Sequence, residues 1–519
     1  MTSEEQSPLN MSSETGTSNV TSAERETAAT KQKDSGSEAS LTQSTEKHGI
    51  TGLSWFVTAL FMLGALVGGG LVTLPLATVR TNIYVSIFFI VLMGLMSIYS
   101  AHVLGLCWIM LMDRWPKYRQ HCRKPYPEIA TRAGGKFWKF AVSVCVDVTQ
   151  FGTAVVYLLL SAKNIRDIIL IYTSTEISYC YVVLIVAACF LPCTMLRSPQ
   201  DFWGAVIMGM ATSAISAVLI TASGFLDYST CGPVRELPPT MVTNYFLAVG
   251  TYMFSFCGHA AFPTIQHDMK KPTDFTKSAA TAFTTMICLY IPVSLVGYLT
   301  YGDSMKSSII GSIQITWIQQ IVNIAITCHC ILSLTITMNP LNQEIEDFFK
   351  VPHRFNLKRV LVRTMTMVAV VFVAESIPNF GPLLDLIGGS SMALSGLVFP
   401  CLFYLRLKAS SAENNDGKAV DPHSLSIKDT LAKNNIQTNI ISMFIIISAF
   451  FFSLATSGSA IYSLSSAQFV VPCYLQPFFG ADRVDGVVGA VDCCGHWQNV
   501  TRSDDIKCSR VDMGMYEIN

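Results

Sequence analysis

The fold is decided by Val67-Gly68-Gly69-Gly70-Leu71-Val72-Thr73-Leu74-Pro75, a stretch that interrupts a long apolar segment. A second apolar segment is interrupted by Cys257-Gly258, and Pro263 follows that glycine at the spacing at which Pro75 follows Gly70. Glycine and proline weaken the hydrogen-bond ladder of a helix in lipid, so a break survives only where the freed backbone groups face protein, water or a ligand. Two matching breaks, about five spans apart, indicate a transporter built from a repeated five-helix unit.

The composition is that of a membrane protein. The chain has 519 residues, of which 51% are hydrophobic and only 13% are charged, whereas soluble domains carry roughly 25% charged residues. A membrane helix needs about 20 mainly apolar residues. The pattern therefore predicts an all-α protein embedded in a lipid bilayer, with spans at 54–78, 82–112, 138–162, 178–196, 202–225, 244–264, 279–301, 309–338, 360–377, 381–405 and 438–462. The formal net charge is zero, and we expect no nucleic-acid partner.

Three regions follow from this pattern. Residues 1–50 contain ten Ser, eight Thr and no aromatic residue, so we expect a disordered tail. It begins with polar residues after Met1, which argues against a cleaved signal peptide. Residues 51–462 form the predicted transporter domain, and 463–519 a Cys-containing tail. Lys and Arg are concentrated in alternate loops, above all in 113–139, which predicts a cytoplasmic N-terminus and an extracellular or lumenal C-terminus.

The predicted outer side contains cysteines and a glycosylation acceptor. Asn499 begins an Asn-Val-Thr sequon in the C-terminal tail. Cys180 and Cys231 would both meet an oxidising compartment and are about fifty residues apart, so we expect them to form a disulfide, with the tail cysteines as alternative partners. We expect no metal site, because Cys493, Cys494 and His496 lack a second spaced Cys/His pair.

The two breaks predict the substrate site. A half-helix that starts inside the bilayer presents unpaired N–H groups and about +0.5 charge, which suit a carboxylate, while the carbonyls that end the preceding half-helix suit an ammonium. The candidate binding residues are Val67, Gly68, Gly69, Gly70 and Leu71 at the first break and Ser255, Phe256, Cys257 and Gly258 at the second. The alternative is that the glycines only permit close helix packing.

Several motifs accompany the breaks. They are Gly68-Gly69-Gly70-Leu71-Val72-Thr73-Leu74-Pro75-Leu76-Ala77, Phe254-Ser255-Phe256, Phe262-Pro263-Thr264-Ile265, Met269-Lys270-Lys271-Pro272 and, in the third span, Val148-Thr149-Gln150-Phe151-Gly152. They resemble the amino acid/auxin permease family, which includes vesicular inhibitory, proton-coupled and sodium-coupled amino acid transporters. The resemblance covers about residues 50–462. It implies a leucine-transporter-like fold with eleven transmembrane helices: two inverted five-helix repeats plus one helix, with the first and sixth helices discontinuous.

Proton coupling is favoured over sodium coupling. Sodium-coupled members of the family have an Asn where this chain has Gly64, which offers no side-chain oxygen. Asp147 in the third span and His259 beside the second break are the candidate proton carriers. His102 and His329 also lie in spans, where a single His more often joins two helices than carries protons.

These observations together predict a secondary active transporter of small neutral amino acids, proton-coupled or proton-exchanging, in the plasma membrane or a vesicular or lysosomal membrane. The alternative is a transport-fold amino acid sensor with little flux. The sequence contains no phosphate-binding G-x-x-x-x-G-K-[ST] motif and no hydrolase motif, so neither an enzyme nor a cofactor is expected.

Overall fold

The structure is a computed structural model that describes residues 52–120, 122–173, 175, 177–195, 203–235, 237, 241–352, 356–411, 422–466 and 472–475. The predicted tail at 1–50, Asn499 and the cysteines after residue 473 lie outside the described residues.

The described residues are almost entirely helical. Their α-helices are α1 (Trp55–Leu66), α2 (Gly69–Thr81), α3 (Ile83–Arg114), α4 (Pro125–Gly134), α5 (Lys136–Thr173), α6 (Tyr179–Thr194), α7 (Trp203–Cys231), α8 (Val242–Phe256), α9 (Phe262–His267), α10 (Phe275–Thr300), α11 (Thr316–Phe348), α12 (Leu357–Ser376), α13 (Phe380–Ile387), α14 (Phe399–Ser411), α15 (Ile427–Lys433) and α16 (Ile436–Ser466). Two π-helical segments, Gly388–Met392 and Leu394–Val398, join α13 to α14.

Seven segments of the described chain are long and apolar enough to cross a membrane, and the bent pair α1–α2 makes an eighth. The seven are α3, α5, α7, α10, α11, the α13–α14 segment and α16. The predicted span 178–196 corresponds to α6, which is short, and the predicted span 360–377 to α12, which is apolar but contains several charged residues. The full number of eleven spans therefore stays a prediction.

The helices pack as a bundle around the broken segments. Helix α2 contacts α8 and α10, while α11 lies between α5 and α7. The α13–α14 segment is central, since 78% of its most apolar stretch is buried inside the protein. Helix α16 is peripheral, since only 28% of its most apolar stretch is buried. The tight turn between α2 and α3 is made by Asn82 at φ 93°, whose side chain accepts a hydrogen bond from the Tyr84 amide at 2.9 Å. Asparagine tolerates this left-handed conformation better than most residues.

Candidate functional site

The first break separates α1 from α2. The axes of the two helices differ by 61°. Val67 still donates its amide to the Leu63 carbonyl at 3.0 Å, but the chain then leaves the helical path, and no side chain caps the start of α2 at Gly68. The amides of the glycine run at the amino end of α2 therefore have no side-chain cap. The partial charge of the helix is positive at this end.

The three glycines at this break are not equivalent. A Cβ at Gly68 would lie 2.1 Å from His329 Nε2, and one at Gly70 would lie 2.4 Å from Ser255 Oγ. Both positions therefore require glycine for close packing. A Cβ at Gly69 would instead lie 3.4 Å from ring carbons of Phe254 and Tyr157. Gly69 is thus the glycine that faces two aromatic rings at ordinary contact distance.

The second break follows the end of α8. Cys257 donates its amide to the Met253 carbonyl at 2.9 Å, and the chain resumes as a short 3₁₀ turn before α9. A Cβ at Gly258 would lie only 1.9 Å from Leu66 Cδ2, at the end of α1. Ser255, in the last turn of α8, adjoins Gly70 in α2. The structure therefore brings the two predicted binding segments into direct contact.

His259 stands beside the second break and is buried. Its Nε2 lies 2.7 Å from Ser100 Oγ and 3.2 Å from the Ser97 carbonyl oxygen, both on α3. Its Nδ1 has no hydrogen-bond partner within the described part of the chain. The imidazole joins the second break to α3.

Asp147 lies in a charged cavity of about 80 Å³ that Lys124 and Glu344 also line, and residues 260 and 264, just past the second break, border the same cavity. Lys124 contacts the carboxylates of both Glu344 and Asp347, and Arg123 pairs with Asp347 at 3.2 Å. Partial burial lowers the pKa of Lys124, but these carboxylates outweigh burial and hold the pKa above its ordinary value. Because Asp147 is half-buried and shares this cavity with charged side chains near the end of α11, it belongs to a polar mouth of the bundle.

A buried ion pair that sequence reasoning missed connects three helices. Arg80 on α2 donates to Asp385 on α13 at 3.0 Å, and both side chains are almost completely inaccessible. Thr251 on α8 donates to the other carboxylate oxygen of Asp385 at 2.6 Å. The available signal was Arg80, between the first two predicted spans, and Asp385, inside the predicted span 381–405, since buried charges need partners.

His329 on α11 is the second group whose position at the site was not predicted from the sequence. Its Nδ1 lies 2.9 Å from Ser213 Oγ and 3.1 Å from the Gly209 carbonyl oxygen, both on α7. Its Nε2 lies 3.1 Å from Ser333 Oγ and packs on Gly68. The expected role of joining helices is fulfilled, but the ring also touches the first break.

The predicted disulfide between Cys180 and Cys231 is wrong. Cys180, at the start of α6, is bonded to Cys473, with 5.5 Å between their Cα atoms. Cys231 is also disulfide-bonded, with a partner outside the described residues. The segment after α16 reaches α6 because it packs on the end of α12, where the Tyr474 ring stacks on Phe372 at 5.5 Å. Packing between distant segments therefore decides the partner of Cys180, although a bond to Cys231 would close a shorter loop.

Comparison with known proteins identifies the fold and the family of this chain. A solved manganese transporter from Eremococcus coleocola aligns with a TM-score of 0.51, over 80% of this chain and 88% of that one. At 12% sequence identity this likeness shows the fold alone. Residues 51–425 match the family described as transmembrane amino acid transporter protein, and the chain belongs to that family. This match confirms the resemblance found in the sequence. The protein is therefore an integral membrane protein of a transporter family and not an enzyme.

Curated relatives agree with the family. The amino acid transporter AVT1H of Arabidopsis thaliana is 25% identical, over 68% of this chain and 82% of its own length. The lysine histidine transporter-like 4 of the same plant is 24% identical, over 68% of this chain and 81% of its own length.

Proposed function

We propose that this protein is a secondary active transporter of small neutral amino acids, which works by alternating access and couples transport to proton symport or exchange. The observation that carries the proposal is the contact between the two breaks, at Gly258 on Leu66 and at Gly70 on Ser255. A pair of discontinuous helices that meet inside the bilayer is the arrangement with which transporters of this architecture bind substrates.

The backbone at the breaks would recognise both ends of an amino acid. In this proposal, residues 67–71 provide amides for the carboxylate, because the amino end of α2 lacks a side-chain cap. Residues 255–258 provide carbonyls for the ammonium group at the end of α8. A family of amino acid transporters and relatives named for amino acid transport support an amino acid as the substrate.

The rings that face Gly69 support a small neutral side chain. Phe254 and Tyr157 both come within 3.4 Å of a Cβ built at Gly69, so little space remains between them. Aromatic carbon surfaces would also leave a charged side chain of the substrate without a hydrogen-bond partner there, which costs free energy in a buried site. Glycine, alanine and γ-aminobutyrate are the substrates that we expect to fit.

The position of Gly64 supports protons over sodium. A Cβ at Gly64 would lie 2.3 Å from the Val206 carbonyl oxygen, so no larger side chain with an oxygen fits there. Asp147, in the polar mouth, and His259, beside the second break, are the sequence-derived candidates for carrying the proton. We further propose a cytoplasmic N-terminus and a glycosylated outer C-terminal tail, in the plasma membrane or a vesicular or lysosomal membrane.

Uptake into proteoliposomes tests the coupling. Radiolabelled glycine, alanine and γ-aminobutyrate should enter when choline replaces sodium, and uptake should rise with an inward proton gradient. Strict dependence on sodium would contradict the proposal. A protonophore should remove the stimulation without reducing exchange between equal amino acid concentrations, which separates coupling from the transport path itself.

A further inference from the structure

We infer that His329 binds the proton that is coupled to transport, on Nε2, directly against the first helix break. This inference rests on the proposed function and assigns the coupled proton to the Nε2 atom of His329. His329 is fully buried on α11, and its ring contacts the first break at Gly68 and helix α7. Because Nε2 packs on Gly68, a change of charge on this ring acts at the amino end of α2.

The hydrogen bonds of the ring fix which nitrogen carries the first proton. The Ser213 hydroxyl donates to the Val67 carbonyl oxygen, so its oxygen can only accept at the other contact, with His329 Nδ1. The Gly209 carbonyl oxygen, 3.1 Å from Nδ1, is also an acceptor. Nδ1 therefore carries a hydrogen in the neutral ring, and Nε2 presents its lone pair.

The same network can hold a second proton. Ser333 Oγ lies 3.1 Å from Nε2, and its hydroxyl can donate to the lone pair or rotate and accept from an N–H. Both charge states of His329 thus keep a hydrogen bond at each ring nitrogen. His259 differs, because a second proton would fall on Nδ1, which has no hydrogen-bond partner among the described residues.

The His329 ring contacts few other titratable groups. From α5, the side chain that faces it is Tyr157, whose ring stands edge-on with centroids 6.3 Å apart. At the first break it meets the Gly68 backbone, and on α7 it meets the Gly209 carbonyl and Ser213. Ser333 is on its own helix. These contacts contribute no carboxylate, so a bound proton leaves a net positive charge beside the break.

That charge would couple proton and substrate. An imidazolium at Gly68 adds to the positive end of α2, and together they attract a carboxylate by charge-assisted hydrogen bonding. By linkage, a carboxylate bound there raises the proton affinity of the ring by the same factor. The substrate and the proton would therefore bind and leave together.

Uptake of radiolabelled glycine into proteoliposomes, measured across a pH series, tests the assignment. If only the protonated ring binds substrate, the half-saturating concentration of the unchanged protein rises by up to about tenfold per pH unit above the midpoint. In His329→Gln the half-saturating concentration should stay at the high value of the unprotonated protein at every pH, and the stimulation by an inward proton gradient should be lost. His102→Gln is the matched control, because His102 bonds Thr276 at 2.8 Å elsewhere in the bundle and should leave the pH dependence unchanged.

A second variant keeps the imidazole. Ser333→Ala removes a hydroxyl that bonds Nε2 in both charge states, and the hydrogen bond to the charged ring is the stronger of the two. The pH midpoint of glycine uptake should therefore move to lower pH, which a purely structural role would not cause. An unchanged midpoint in Ser333→Ala overturns the inference even if His329→Gln is inactive, and so does a retained pH dependence in His329→Gln. Absence of proton-stimulated uptake in the unchanged protein would instead overturn the proposed proton coupling.

Discussion

Replacement of Gly69 distinguishes a binding glycine from a packing glycine. Gly68 and Gly70 leave no room for a side chain, because a Cβ would lie 2.1 and 2.4 Å from neighbouring atoms. At Gly69 the nearest atoms are ring carbons of Phe254 and Tyr157 at 3.4 Å, the short end of ordinary contact. Gly69→Ala should therefore fold and reach the membrane, with its methyl group in the space proposed for the substrate.

The size of the effect follows from overpacking. An added methyl group in a filled site costs about 1–3 kcal/mol. If this cost falls on the substrate complex, affinity decreases by about 5- to 150-fold, since each 1.4 kcal/mol is a factor of ten. Gly69→Leu adds three further carbons between the same two rings and should reduce uptake to background.

The assay is uptake of radiolabelled glycine, normalised to the amount of protein in the membrane. Gly458→Leu is the control, because Gly458 on α16 has no atom within 4 Å of a built Cβ, so its uptake should equal that of the unchanged protein. Normal uptake with normal half-saturation in Gly69→Leu would refute the binding role of this position.

Three further outcomes are expected. Removing Arg80 alone leaves the buried Asp385 unpaired and should cost about 3–5 kcal/mol of stability; thermal unfolding of Arg80→Met should show this, with recovery when Asp385→Leu is added, and an unshifted single variant would contradict it. Partial burial raises the pKa of Glu128, but hydrogen bonds from Tyr118 and Lys139 outweigh burial and hold the pKa below its ordinary value. The stabilisation by the ionised carboxylate is therefore present at neutral pH and lost in acid. Glu128→Gln should lower the unfolding temperature at neutral pH and not in acid; an equal difference at both would be incompatible with this. Non-reducing peptide mapping should recover Cys180 joined to Cys473, and free thiols at both would disprove the bond.

Local chemistry made the breaks predictable. The glycine run and Cys257-Gly258 weaken helical hydrogen bonding within a few residues of sequence, and the structure ends α1 at Leu66 and α8 at Phe256. The family was predictable for the same reason, because its motifs lie around these positions. The role of each glycine was not, since it depends on which side chain of a distant helix faces it.

Contacts between segments far apart in the chain could not be predicted from the sequence. Arg80 and Asp385 are 305 residues apart, and only the packing of both α2 and α13 against α8 shows that they meet. Asp147 was predicted only to lie in the third span, and it lines a polar mouth because the charged loop before α4 folds over the end of α11. Hydropathy gives the depth of a residue along its own helix, but not which neighbours or cavities the helix presents to it.

Counter-flow in proteoliposomes tests the central claim most directly, because it needs no ion gradient. Vesicles that contain the protein and are loaded with unlabelled glycine should transiently accumulate radiolabelled glycine from outside, and Gly69→Leu vesicles should not. Loading with arginine or glutamate should drive little accumulation. Binding of glycine without counter-flow would contradict the account and would favour an amino acid sensor built on a transport fold.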